Sequence, residues 1–428
     1  MIIRSLDELS APDEPALHYT PLGLSGGTMR PEDAAEHHQQ TIAHADLAPD
    51  VPDETRRSFE RLRTIHSYGV LCYDLYTAVD AQSLLVLEQA LAERFLDYYG
   101  GTIPFVDKTG AERPLTATRF EQVYDALHKG GSHAKGGWRL QLRHKPEPMD
   151  FKATMAHLME WARREGLLRG QHNRHLEQML VKHRNLAAHP TGYQLVSPVN
   201  SARAIRDVAE IINHLWGALT PGGRLYPAPI RREIIAIGWG QTGGPIMFTL
   251  ADNLRANDVP DEWAYLLVRA VVSDYDLGCF DAQHETTAFP SEYLWGPGSR
   301  QDALAWLEQQ RPATDEVEYL DRWLLIRRHE GGLDLPRRPE VAAGLGEQER
   351  HGVWHLVRAD FPNQAFTHVR QVGLQDSTCS PDGPCAHCAA DTIGTGSWQE
   401  VMDLLGASGV QVSGIDMPDV RAPSLWGR

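Results

Sequence analysis

The 428-residue sequence has no run of 18 consecutive apolar residues, so no segment reads as a membrane-spanning helix. Its first residues, MIIRSLDELSAPDEP, carry acids where a secretory leader carries a basic stretch and then an apolar one. Cysteine is scarce. Five residues, an odd number with three close together, do not make a disulfide framework. They suggest a reducing, cytoplasmic setting and a metal as one use for the cluster. Positive charge is short too: 41 Lys and Arg stand against 57 Asp and Glu, a net of −16. That argues against a protein coating nucleic acid over its whole surface, though not against a local basic face. There is no convincing internal repeat. With 42% apolar and 23% charged residues, the composition argues against wholesale disorder.

What is present divides the chain into three regions. Residues 1–53 are rich in Pro, Gly and acids, with 2 basic against 10 acidic residues, and read as an acidic flexible arm. Residues 54–219 are mostly helical in pattern, with an insertion at 100–150. Residues 220–428, opening with the turn cluster TPGGRLYPAP, mix strand-like and helix-like runs. The fold class expected is therefore an α-helical bundle followed by an α+β C-terminal domain.

In the helical region Phe59, Leu62, Ile65, Cys72, Leu75, Tyr76 and Val79 keep helical spacing. Asp80 is placed to cap the next helix, where Leu84, Leu87, Leu91 and Phe95 form an apolar stripe ended by Gly100 and Gly101. Further helices are expected over 151–168 and 172–189. A last one, capped by Ser201, carries Ile205, Val208, Ile212 and Leu215. The segment KGGSHAKGG from Lys129 reads as a flexible basic loop. Glu88 falls on or beside the apolar stripe, and a buried carboxylate is costly unless paired. Either it reaches a solvated rim, or it holds a cation from a facing helix, with Arg184 the first candidate.

The stretch KHRNLAAHP, Lys182 to Pro190, ends one of these helices. Pro190 disfavours helical geometry at His189, so the last turn is free to bring the imidazole toward Arg184, with Asn185 four residues before His189 and able to orient it. Histidine exchanges protons near neutral pH, and arginine grips a phosphate with two parallel hydrogen bonds. No carboxylate cluster for a divalent ion accompanies them. The combination suits metal-independent RNA cleavage by the ribose 2′-hydroxyl. The same Arg-to-His spacing recurs at Arg61/His66, Arg139/His144 and Arg350/His355, but only Arg184/His189 has the adjoining Asn and the terminating Pro. The window from Lys129 to Pro190 holds 12 Lys and Arg against 5 Asp and Glu, leaving −23 elsewhere. It reads either as an anion-binding face or as a solvated, charge-mixed helical surface. In the plainer alternative for the motif, Arg184 pairs with Glu88 and His189 caps a helix.

LLVLEQALAERF (Leu84 to Phe95), followed after an insertion by RNLAAHP at a helix end, resembles the HEPN superfamily. Its members are helical-bundle domains, many of them ribonucleases with an R-N-x-x-x-H motif. The resemblance covers roughly residues 54–219. It implies that Arg184 and His189 are catalytic and Asn185 supporting; the cleavage read from these residues needs no cofactor. It also implies that two copies of the motif meet across a homodimer at one RNA site.

The C-terminal region holds CSPDGPCAHC. Cys385 and Cys388 have the spacing by which two thiolates bind one tetrahedral zinc from a tight turn. Cys379 is a candidate third ligand and His368 a candidate fourth; His387 is sterically less convenient and Cys279 remote. Reduced loop thiols without metal are the alternative. REIIAIGW, PIMFTL, RWLLIRR and GVWHLVRA read as strands, Asp261 to Ser273 as a helix, and RRHEGG as a turn. The reading that follows is a cytoplasmic endoribonuclease with a structural zinc, in a toxin–antitoxin or antiviral defence role, with RNA and an antitoxin or regulator as partners and no membrane. The alternatives are a non-catalytic HEPN-like module that binds nucleotide, RNA or protein, and a zinc-stabilised interaction protein.

Overall fold

A computed structural model describes residues 3–129, 137–188, 194–240, 246–271, 291–313, 315–318, 320–374 and 376–412. The chain is mixed α+β and divides into two compact units, Met1–Arg169 with Asn173–Ala228, and Gly170–His172 with Pro229–Arg428. Among the described residues no helix is long and apolar enough to cross a membrane.

The first unit opens with short helices α1 (Leu6–Ser10) and α2 (Glu14–Leu17), then α3 (Pro31–Gln40). The loose arm expected here is folded. Ala16, Ala34, Ile42, Ala45 and Val51 are buried, and the backbone N–H of Asp13 donates to the Val70 carbonyl. The acids sit on the outside while small apolar residues face the core, a pattern too sparse to stand out in a Pro- and Gly-rich segment.

Helices α4 (Asp53–Ser67), α5 (Asp74–Tyr99) and, later in the chain, α9 (Pro198–Leu215) pack on one another. The stripe Leu84, Leu87, Leu91 and Phe95 is buried, as are Ile205, Val208, Ile212 and Leu215. Gly100 takes the left-handed conformation (φ 59°) that ends α5. Two caps differ from expectation. Asp80 lies inside α5, which runs unbroken from Asp74. Ser197, not Ser201, caps α9; Ser201 is buried and its hydroxyl pairs with Nδ1 of the buried His66. Both misplacements come from capping side chains that found tertiary partners.

Between α5 and α9 the chain forms α6 (Phe120–His128), α7 (Met155–Arg164) and α8 (Gln171–Ala188), and the short strands β1 (Thr102–Ile103), β2 (Phe105–Val106), β3 (Leu115–Thr116), β4 (Arg139–Leu140) and β5 (Met149–Asp150), paired as β1-β3 and β2-β4-β5. Trp161 of α7 packs edge-on to Phe95, and Phe151 stacks on the same ring. The first turn of α8 groups with the second unit, where carboxylates of Asp321 and Asp360 accept from the N–H groups of Gly170, Gln171 and His172. The loop from Lys129 falls mostly outside the described residues.

The second unit holds two five-stranded antiparallel sheets. In the first, β6 (Ile230–Trp239) lies between β8 (Ala264–Val271) and β10 (Asp315–Val317), with β7 (Ile246–Leu250) also on β6 and β9 (Ser291–Ser299) beyond β8. The helix expected over Asp261 to Ser273 is therefore strand β8. Tyr265 and Leu267 pack on one face, with Ala303 and Leu307 of α10 (Arg300–Gln310), while Leu266, Val268 and Ala270 pack on the other. A strand buried on both faces loses its alternation and mimics a core helix. The second sheet has the order β12, β11, β13, β15, β14, built from β11 (Arg322–His329), β12 (Gly332–Leu333), β13 (Val353–Ala359), β14 (Gly383–Pro384) and β15 (Ala390–Gly396). Helix α12 (Pro362–Val372) covers Leu324, Ile326 and Val357 on one face; α11 (Pro339–Ala343) and α13 (Trp398–Ala407) cover Leu325, Trp354 and Leu356 on the other.

Candidate functional site

Two arrangements gather the residues singled out in the sequence. The first is in the helical unit. Arg184, on the last turns of α8, donates from Nε (3.0 Å) to Glu88 Oε2 on α5, and its Nη2 stands 2.9 Å from the same oxygen in an ion pair. The partner considered for Glu88 is thus the one it has, at the half-buried rim of the stripe; the same contact is the plain pairing weighed against catalysis. Asn185 is exposed beside it. His189 and Pro190 lie outside the described residues. About two turns of α5 nearer its start, His183 Nε2 stands 3.1 Å from an Asp80 carboxylate oxygen. Burial raises the Asp80 pKa, against the pull of His183. Two adjacent residues of α8 are therefore each tied to an acid of α5.

Arg184 and Asn185 line an open groove of about 1070 Å³. Its opposite wall comes from the insertion, with Arg119, Phe120, Tyr124, Asp125 and Lys129, and from Thr154 to Ala156 ahead of and within α7. Sequence reading left this wall unassigned, although the apolar spacing of Phe120 and Val123 and a Gln122 side chain that caps the start of α6 were there to be seen. The groove carries five carboxylates, Glu54, Glu88, Glu93, Glu121 and Asp125, against three cations, Arg119, Lys129 and Arg184. The basic window does not become a basic groove. Within it Lys129, Arg139, Arg163, Arg164 and Arg184 all pair with carboxylates. Of the other Arg-to-His pairs, His66 and His355 are buried. Burial pushes both imidazoles down to about 4, as core histidines kept neutral.

The second arrangement is in the second sheet. His368 on α12 and Cys379, Cys385 and Cys388 around β14 place their ligand atoms all within 4.8 Å of one another. His368 Nε2 bonds Thr392 Oγ1 on β15 (3.0 Å), while its buried Nδ1 has no hydrogen-bond partner. That leaves one ring nitrogen oriented by a hydroxyl and the other available as a ligand. Cys379 Sγ and Cys388 Sγ are 3.2 Å apart, and the His387 N–H donates to Cys385 Sγ (3.4 Å). Zinc–sulfur bonds of ~2.3 Å give a tetrahedron with edges of ~3.7 Å, inside the range these atoms span. Burial opposes ionisation of Cys385, yet backbone N–H groups of His387, Ser380 and Cys388 outweigh it and lower its pKa. Cys388 goes the other way, to about 12, through burial and the adjoining Cys379. His387 is not among the four, and Cys279 lies outside the described residues. These four residues are a Cys₃His set that could hold a metal ion. Compared with protein-family models, curated proteins and solved structures, the chain matches none.

Proposed function

We propose that the helical unit is a HEPN-like, metal-independent endoribonuclease. The observation that carries this reading is the placement of Arg184 and Asn185 together on the wall of a groove large enough for several nucleotides, at the end of a helix whose next residue is His189. In the reaction, the ribose 2′-oxygen attacks its own phosphorus. The new 2′-O–P bond forms as the bond to the 5′-oxygen breaks. A proton leaves the 2′-hydroxyl and another reaches the 5′-oxygen. His189 would move a proton, and Arg184 would turn its fork from Glu88 to the phosphorane. One Arg and one His per chain are few for a reaction with two proton transfers. A homodimer sharing one site supplies the second pair. An exposed stripe on α8 supports such an interface: Gln178, Met179, Lys182, Asn185 and Leu186, with Met179 at 65% and Leu186 at 47% exposure. A cytoplasmic toxin or antiviral effector, restrained by an antitoxin or regulator, fits an enzyme that attacks cellular RNA. In the second unit the Cys₃His cluster would hold a structural zinc that ties α12 to β14 and β15.

A second reading has its own observation. Five carboxylates to three cations, with Arg184 already paired, suit a non-catalytic HEPN-like module better than a phosphate channel. RNA digestion in the presence of a chelator decides between them. The enzyme reading requires products with 2′,3′-cyclic phosphate ends, abolished by Arg184→Ala and by His189→Ala. No cleavage by freshly purified, folded protein over a broad set of RNAs favours the binding module. Elemental analysis of protein purified without added metal tests the zinc: about one ion per chain, falling in Cys385→Ser, is expected.

A further inference from the structure

The three cysteines of the Cys₃His set are not equivalent. Strand β14 pairs with β15 through Gly383–Thr392 and Pro384–Asp391, so residues 385–389 form the bend of a hairpin and bring Cys385 and Cys388 into it. Cys379 precedes β14, and the turn through Ser380 to Gly383 folds it back toward that bend. Gly383 makes the reversal in the left-handed conformation (φ 69°). Cys385 is 1% exposed, whereas Cys379 and Cys388 are only half-buried. The sulfurs of this outer pair stand 3.2 Å apart. A disulfide needs ~2.05 Å, and a zinc tetrahedron an edge of ~3.7 Å. The pair lies between the two, and a movement of about 1 Å or less reaches either.

We propose that Cys379 and Cys388 are a modification site for peroxide, and that the disulfide they form expels the metal. The expulsion rests on the reading of the Cys₃His set as a zinc site; the choice of pair does not. One sulfur of the pair attacks a peroxide oxygen. The O–O bond breaks, a sulfenic acid forms, and the departing hydroxide takes a proton to become water. The neighbouring sulfur then attacks the sulfenic sulfur. The S–S bond forms as the S–O bond breaks, and a second hydroxide leaves and is protonated. Two thiols are oxidised by two electrons, and one peroxide is reduced to two waters. Cys385 is disfavoured as a partner because it is buried and its sulfur accepts the His387 N–H. After oxidation only Cys385 and His368 remain, two ligands where a closed zinc site needs four. His368 belongs to α12 and Cys385 to the hairpin, so loss of the ion unties that helix from β14 and β15. In a reducing compartment such a bond forms under oxidant and is undone afterwards, which makes it a switch and not a scaffold.

Treating the full chain with a modest molar excess of hydrogen peroxide tests it. The protein is first freed of reductant, and its zinc content is measured. Released zinc is followed with a colorimetric metal indicator, and the remaining thiols are then alkylated and the disulfides mapped by mass spectrometry of a digest. The expected result is loss of about one zinc per chain, in step with loss of two of the five thiols. The map should show one main disulfide, joining Cys379 to Cys388, and reductant with added zinc should restore the starting state. In Cys379→Ser the same peroxide should form no disulfide at Cys388, while Cys72→Ser, a change in the helical unit, should respond as the unaltered chain does. Zinc retained after peroxide, a main disulfide that includes Cys385, or oxidation of single cysteines to sulfinic acid without a disulfide overturns the proposal. Protein that holds no zinc at the outset overturns the zinc reading and with it the expulsion, and the disulfide map still decides the pair. Because the map is made on the unaltered chain, the test stands if a cysteine variant fails to fold.

Discussion

Glu88 holds Arg184 with a hydrogen bond and an ion pair at a half-buried rim, so any phosphate that enters the groove competes with a carboxylate already in place. Glu88→Gln removes that charge while keeping the shape. If the groove takes RNA, the variant should bind a short single-stranded RNA several-fold more tightly at low salt, measured by fluorescence anisotropy. Equal affinity would place the RNA elsewhere. The gain should shrink as salt rises, since the competing terms are electrostatic. His66 gives a second residue-scale test. Burial depresses its pKa to about 4, whereas the unfolded chain titrates near 6.5. The unfolded state therefore binds more protons between those values, and the helical unit loses stability as pH falls from 6.5 toward 4, by on the order of 3 kcal/mol. Urea midpoints at pH 7 and pH 5 should show that fall, and His66→Gln should flatten it. An unchanged slope would assign the acid sensitivity to other groups.

At the scale of elements, the segment before α4 is a structural part of the first unit. His38 of α3 bonds the Ala16 carbonyl through Nε2, and the Asn213 side chain on α9 bonds the backbone at Asp46 and Ala48. Removing residues 1–52 should therefore lower the melting temperature by roughly 10 °C or more, since several buried aliphatic side chains worth about 1.5–3 kcal/mol each lose their cover. Scanning calorimetry of the shortened chain checks this. An unchanged transition would return the segment to the role of a loose acidic arm.

For the whole molecule, the shared-site reading predicts dominance. Mixing the unaltered chain with an excess of His189→Ala chains, with exchange confirmed by a tagged copy, should reduce cleavage well below the share of unaltered chains. Activity proportional to that share would mean each chain acts alone. Light scattering gives the matching prediction for mass: a dimer that Met179→Lys with Leu186→Lys turns into a monomer, because those side chains are the most exposed apolar part of the α8 stripe.

Much of this was local and therefore legible in the sequence. The stripe from Leu84 to Phe95, the face of α9, the glycine that ends α5 and the cysteine spacing all follow from the periods of a helix and from turn chemistry, which neighbouring residues set. Tertiary structure decided what depends on distant contacts. Glu88 and Arg184 are 96 residues apart in the chain, and the insertion became a groove wall through packing that no period announces. His368 became the fourth member of the cysteine cluster because α12 packs over β13 and β15. Strand β8 hid as a helix because both its faces are covered, and His66 and Ser201 became a buried pair instead of a motif histidine and a cap. Spacing in the sequence records which side chains share a face; only packing determines what that face meets.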